Sequence, residues 1–124
     1  MIVIIAKTTL KSAKDRDVVL NALASATVPT LQEAGVVMYQ TSIDPNDPLV
    51  LHALEIYDSE EALTAHITSR HMNALVSSIS NIRADIVLKA YHGRMESFDL
   101  SAVLAREEIT GASGKSNLSL SVRK

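Results

Sequence analysis

Residues 44–48 read DPNDP, with two prolines and an Asn-Asp pair that neither a helix interior nor a central strand accommodates. The run separates two apolar stretches, VVMYQTSI at 36–43 and LVLHALEIY at 49–57, both rich in β-branched and aromatic residues. So strong a turn between two such stretches predicts a β-hairpin. The remaining elements have to pack around it.

Upstream, IVIIAKT at 2–8 reads as a strand that is apolar on both faces until Lys7, which predicts a sheet with both faces buried. Ser12 or Asp15 can cap a helix over 16–26, whose stripe is Val18, Val19, Ala22, Leu23 and Ala26. Pro29 is expected to end that helix or restart it as a short turn over 29–34, with Gly35 as the stop signal. Downstream of the hairpin, Asp58 or Ser59 can cap a second helix carrying Ala62, Leu63, His66 and Ile67. A break or recapped turn is expected at Ser69, followed by helical spacing through Met72, Leu75 and Val76. DIVLKAYH at 85–92 is the fourth strand.

The order β-α-β-β-α-β predicts an α+β, ferredoxin-like domain over 1–94 with an antiparallel sheet and helices on one face. The other face is too apolar to stay wet, which predicts a homodimer packed sheet against sheet. Residues 95–124 are expected to form a C-terminal extension: a short helix with Phe98, Leu100, Val103 and Leu104 inward, a linker, and the weakly alternating NLSLSVRK. That tail is expected to be disordered or to join the edge of a neighbouring sheet.

Composition narrows the function. A net charge of −2 with no basic run argues against a nucleic-acid partner. The absence of cysteine removes disulfides, thiolate metal sites and a cysteine nucleophile. The opening MIVIIA is too short for a signal-peptide core, and no stretch approaches the roughly 18 apolar residues of a membrane span. A cytoplasmic protein without a membrane partner is expected.

The candidate site residues lie between 39 and 75. Glu55 shares a strand face with Leu51, Ala53 and Tyr57, so its carboxylate must be paired, hydrogen-bonded or raised in pKa. It reads either as a general base or as a structural hydrogen-bond acceptor. His66 lies on the apolar helical stripe, and each of His66 and His71 reads as a substrate-facing or a packing residue. On one helix the two would stand about 140° apart, which argues against a metal, although a break near Ser69 would re-aim His71 toward the pocket. Tyr39 and Tyr57 are expected at a polar rim. Met72 and Leu75 serve as core or as pocket lining, His52 as an interface or satisfied core histidine, and His92 as a solvated one. No phosphate loop or nucleophile elbow is present.

The runs TVPTLQEAGVVMYQTSIDPNDP and LEIYDSEEALTAHITSRHMNAL resemble the antibiotic biosynthesis monooxygenase (ABM) family of dimeric α+β barrels. The shared features are Pro29, Thr30, Glu33 and Gly35 before the second strand and Tyr39 within it. They continue with Glu55-Ile56-Tyr57 closing the third strand, then an acidic helix start, His66 and His71. The resemblance spans about Met1 to His92. It implies a homodimer with a small-molecule pocket in each subunit and oxidation of a quinol, phenol or enol without metal or flavin. Glu55 and His66 would handle the proton, and Tyr39, Tyr57, His71, Met72 and Leu75 would line the substrate. The family also contains haem-degrading enzymes and an isomerase. The former need an Asn near the end of the first strand and a His on the second helix; here stand Ala6-Lys7-Thr8 and Leu75, so no haem cofactor is expected. Tyr57 replaces the frequent Trp, and one Phe without any Trp disfavours a large stacked aromatic substrate. The alternative is a non-oxygenase binding dimer or isomerase that uses the same pocket for a small metabolite.

Overall fold

The computed structural model describes residues 1–93, so the predicted C-terminal extension lies outside the described residues. The elements are β1 (Ile2–Leu10), α1 (Ala13–Leu31), β2 (Val36–Ile43), β3 (Val50–Tyr57), α2 (Glu60–Ile67), α3 (Arg70–Ser78) and β4 (Ala84–His92). The strands form one antiparallel sheet in the order β2-β3-β1-β4. This is the predicted ferredoxin-like α+β arrangement, with its second helix in two pieces.

Ser12 caps α1 by accepting the Asp15 N–H at 3.1 Å. Pro29 neither ends nor restarts the helix: it sits in the last turn of a continuous 19-residue α1. There it removes only its own bond to the carbonyl four residues back. The hydroxyls of Thr27 and Thr30 donate back to the Leu23 and Ala26 carbonyls at 2.8 and 2.7 Å, tying the same turn together. Gly35, at φ +85°, then turns the chain into β2. A Cβ on Gly35 would come within 2.6 Å of both the Ala62 Cβ and an Asp58 oxygen. Its carbonyl accepts the Asp58 N–H at 2.8 Å, so the loop after α1 and the entry to α2 are locked together.

β2 carries a bulge. Val36 pairs with Tyr57 and Met38 with Ile56, leaving Val37 as the extra residue. In a regular strand Val36 and Tyr39 would face opposite sides. The bulge puts both on the helix side, where Tyr39 stands opposite Glu55.

On the helix side two apolar clusters form. Ile2, Ile4, Tyr57 and Ala62 build one, and Leu10, Val19 and Leu51 the other, with Leu23, Ile79 and Ile82 packed on it. Between them the sheet floor is thin, because Ala6 pairs with Ala53. On the opposite face the cross-strand row Met38–Ile56–Val3–Tyr91 lies beside Gln40–Leu54–Ile5–Lys89. Ile5 is 47% exposed there and Val87 57%, so an apolar sheet face is left open in the single chain. β4 is exposed on both faces, with Ile86 and Leu88 uncovered on the helix side. None of the described helices is long and apolar enough to cross a membrane.

Candidate functional site

A cavity of about 290 Å³ opens between sheet and helices where the alanine pair leaves room. Its wall is mainly apolar: Leu10, Val19 and Leu51 at one end, Met72, Leu75 and Ile79 from the α3 side. Tyr39 and Glu55 supply polar groups at the other end, with Thr8 and Thr41 on the floor. Four of the predicted site residues, Tyr39, Glu55, Met72 and Leu75, therefore meet at one cavity.

Glu55 does not stand alone on its face. The Tyr57 hydroxyl donates to it at 2.5 Å, and Tyr57 is fully buried. Burial pushes the Tyr57 phenol well above its ordinary pKa, and the bond to the Glu55 carboxylate and its charge push it further. Tyr57 therefore stays protonated and serves as a fixed donor. Tyr39, across the strand pair, is pushed up to about 12 by burial and then by the charges of Glu55 and Glu33. Its hydroxyl makes no bond to another of the described side chains, and Tyr39 lines the cavity. A carboxylate acceptor and a phenol donor thus flank the same space.

His66, Tyr57 and His71 do not line that cavity. The His66 ring is 98% buried behind the tyrosines, with centroids 5.2 Å from Tyr39 and 5.4 Å from Tyr57. Its Nδ1 bonds Glu33 Oε2 at 2.8 Å, and His71 Nε2 bonds the same oxygen at 2.7 Å. The spacing argument that held the two histidines apart fails because they are not on one helix. α2 ends after Ile67, Ser69 donates to the His66 carbonyl at 2.6 Å, and the same hydroxyl caps α3 by accepting the Met72 N–H. The recapped turn swings His71 back toward His66, leaving their rings 5.9 Å apart. His66 Nε2 is buried without a partner.

Glu33 was not singled out by the sequence as a site residue. It follows the C-cap of α1, at the negative end of the helix dipole, with no basic residue in the last turn. A carboxylate there needs outside compensation, and that mismatch was the available signal. Burial pushes the Glu33 carboxyl upward, but the hydrogen bonds from His66 and His71 and their charges outweigh it and hold it below the usual carboxylate range. Glu33, His66 and His71 also place three potential metal-ligand atoms within 4.8 Å of one another. His52, on the open sheet face, bonds Asp44 at 2.7 Å and is satisfied there. The side chain of His92 is 80% exposed.

The fold and the sheet-to-helix cavity define a ferredoxin-like α+β domain with a polar-ended apolar pocket. The sequence model of the family described as antibiotic biosynthesis monooxygenase matches residues 1–77, and the chain belongs to that family. A solved antibiotic biosynthesis monooxygenase is 25% identical at a TM-score of 0.67, the match covering 77% of this chain and all of that one. A conserved protein from Methanosarcina mazei Go1 is 24% identical at 0.68, covering 75% and 92%. SnoaB, a cofactor-independent oxygenase from Streptomyces nogalater, shares the fold at 0.64 with 7% identity, covering 77% and 94%. A comparison with curated proteins finds no match.

Proposed function

We propose that the chain is a cofactor-independent monooxygenase that oxidises a small phenol, quinol or enol. The observation that carries this is the pairing of Glu55 and Tyr39 at the polar end of an apolar cavity. Glu55 accepts the acidic proton of the substrate, and the Tyr57 hydroxyl holds its carboxyl group in place. Tyr39 donates to the enolate oxygen as charge develops there. The substrate supplies the electrons. A carbanion at an activated CH₂ adds dioxygen, and the resulting peroxide loses water to leave a carbonyl, with one oxygen atom on carbon and one in water. Met72, Leu75 and Ile79 keep bulk water away from the carbanion. His66 packs against the rings of Tyr39 and Tyr57, so its part is to orient the two phenols.

The cavity is at the small end of the range for ligand pockets, about 300–1,000 Å³. A monocyclic or bicyclic substrate fits this space better than a large polycyclic one. The protein works as a homodimer through the open sheet face, which carries Ile5, Met38, Val87 and Tyr91 toward solvent in the single chain.

Oxygen uptake by metal-free protein, measured against a panel of small quinols, phenols and enols, tests the reading. Substrate-dependent uptake is expected. A compound that raises the melting temperature without any member of the panel driving uptake would leave a binding dimer or isomerase instead.

A further inference from the structure

We propose that Glu33, His66 and His71 form a binding site for one divalent first-row transition ion of the zinc or cobalt type. None of the three lines the cavity, so the site is separate from the substrate pocket. Two imidazole nitrogens and one carboxylate oxygen are the donor set that such ions take, whereas calcium and magnesium call for oxygen donors.

The three donors come from separate elements and converge for structural reasons. Glu33 is held by the locked loop between α1 and Gly35, with its N–H bonded to the Thr30 carbonyl at 3.0 Å. His66 closes α2, and His71 opens α3 across the Ser69 turn. His66 Nδ1 and His71 Nε2 lie 2.8 and 2.7 Å from Glu33 Oε2, and all three donor atoms fall within 4.8 Å of one another. An ion takes each donor at about 2.0–2.2 Å, so Glu33 must draw back from its present bonds. Its side chain is 15% exposed and His71 is 20% exposed, which leaves room for that movement and a path in from solvent.

Charge favours the ion. Glu33 lies at the negative end of α1, and no lysine or arginine pairs with it among the described residues. The carboxylate is balanced only through the two imidazoles. A divalent ion replaces the protons they share with it and supplies that balance directly. Binding through Nδ1 leaves the His66 proton on Nε2. That nitrogen lacks a partner in either tautomer, so the ion creates no new unsatisfied group. Three protein ligands leave a fourth position for water or a small exogenous ligand.

The test is titration of chelator-stripped protein with Co²⁺, followed by visible d–d absorption, and with Zn²⁺, followed by calorimetry. The expected result is one saturable site per chain, with affinity lowered about tenfold or more in both His71→Ala and Glu33→Gln. Far-UV circular dichroism confirms that each variant is folded. His52→Ala, which removes the separate histidine–carboxylate pair with Asp44, should leave affinity unchanged. The site is overturned by no saturable binding, by affinity unchanged in either His71→Ala or Glu33→Gln, or by loss of binding in His52→Ala.

Discussion

Gly35→Ala is expected to destabilise the protein by about 1–4 kcal/mol, through two effects that can be separated. The backbone at Gly35 has φ +85°, where an alanine is strained by about 1–2 kcal/mol. The new methyl group also meets the Ala62 Cβ and an Asp58 oxygen at 2.6 Å. Relieving that overlap means shifting the start of α2, an overpacking cost of about 1–3 kcal/mol. Lost freedom in the unfolded chain returns about 0.4–1 kcal/mol. With a urea slope of about 2 kcal/mol per M, the unfolding midpoint should fall by about 0.5–2 M at fixed protein concentration. Adding Ala62→Gly removes one of the clashing atoms, so the double variant should lose less than the sum of the two single losses. A Gly35→Ala midpoint within about 0.3 M of the parent would show that the loop yields freely, and the lock between α1 and α2 would be refuted.

Three other outcomes follow from the same geometry. Glu33, with its carboxyl held low, contributes stability that is complete above the ordinary carboxylate pKa and is lost as pH falls through its lowered value. Glu33→Gln should therefore flatten the acid limb of urea midpoints measured between about pH 3 and 6; an unchanged limb would place that dependence elsewhere. Tyr39, pushed up to about 12, should not ionise below about pH 11, so Tyr39→Phe should leave the tyrosinate absorbance rise up to that pH unaltered. Ile5→Glu places a charge on the open sheet face, and if the proposed dimer forms there the variant should sediment as folded monomer. A variant that sediments like the parent would move the interface off this face.

Much of the fold was legible because local chemistry and tertiary packing agree. DPNDP forms its turn with Asp44 accepting from the Asn46 and Asp47 N–H groups, and Ser12, Ser59 and Ser69 all cap helices. Pro29 misled because a proline in a final turn removes one bond that the threonine hydroxyls around it make bearable. The bulge at Val37 has no sequence mark such as a glycine, yet it decides that Tyr39 faces Glu55. At the site, strand alternation placed Glu55 and Tyr57 on one face correctly, since period two leaves no freedom. The histidine pair could not be read from spacing, because five residues across a recapped turn are not five residues of helix. Glu33 stayed hidden for the same reason: its partners lie 33 and 38 positions away.

In the proposed reaction Glu55 takes the substrate proton at the polar end of the apolar cavity. The most direct measurement is the oxygen-consumption rate of Glu55→Gln against the parent, on whichever small quinol, phenol or enol supports uptake, with ligand binding followed by thermal shift. Loss of a general base predicts a fall of about 10²-fold or more in kcat while the ligand still raises the melting temperature. A Glu55→Gln rate within about twofold of the parent would contradict the account and leave Glu55 as a structural partner of Tyr57.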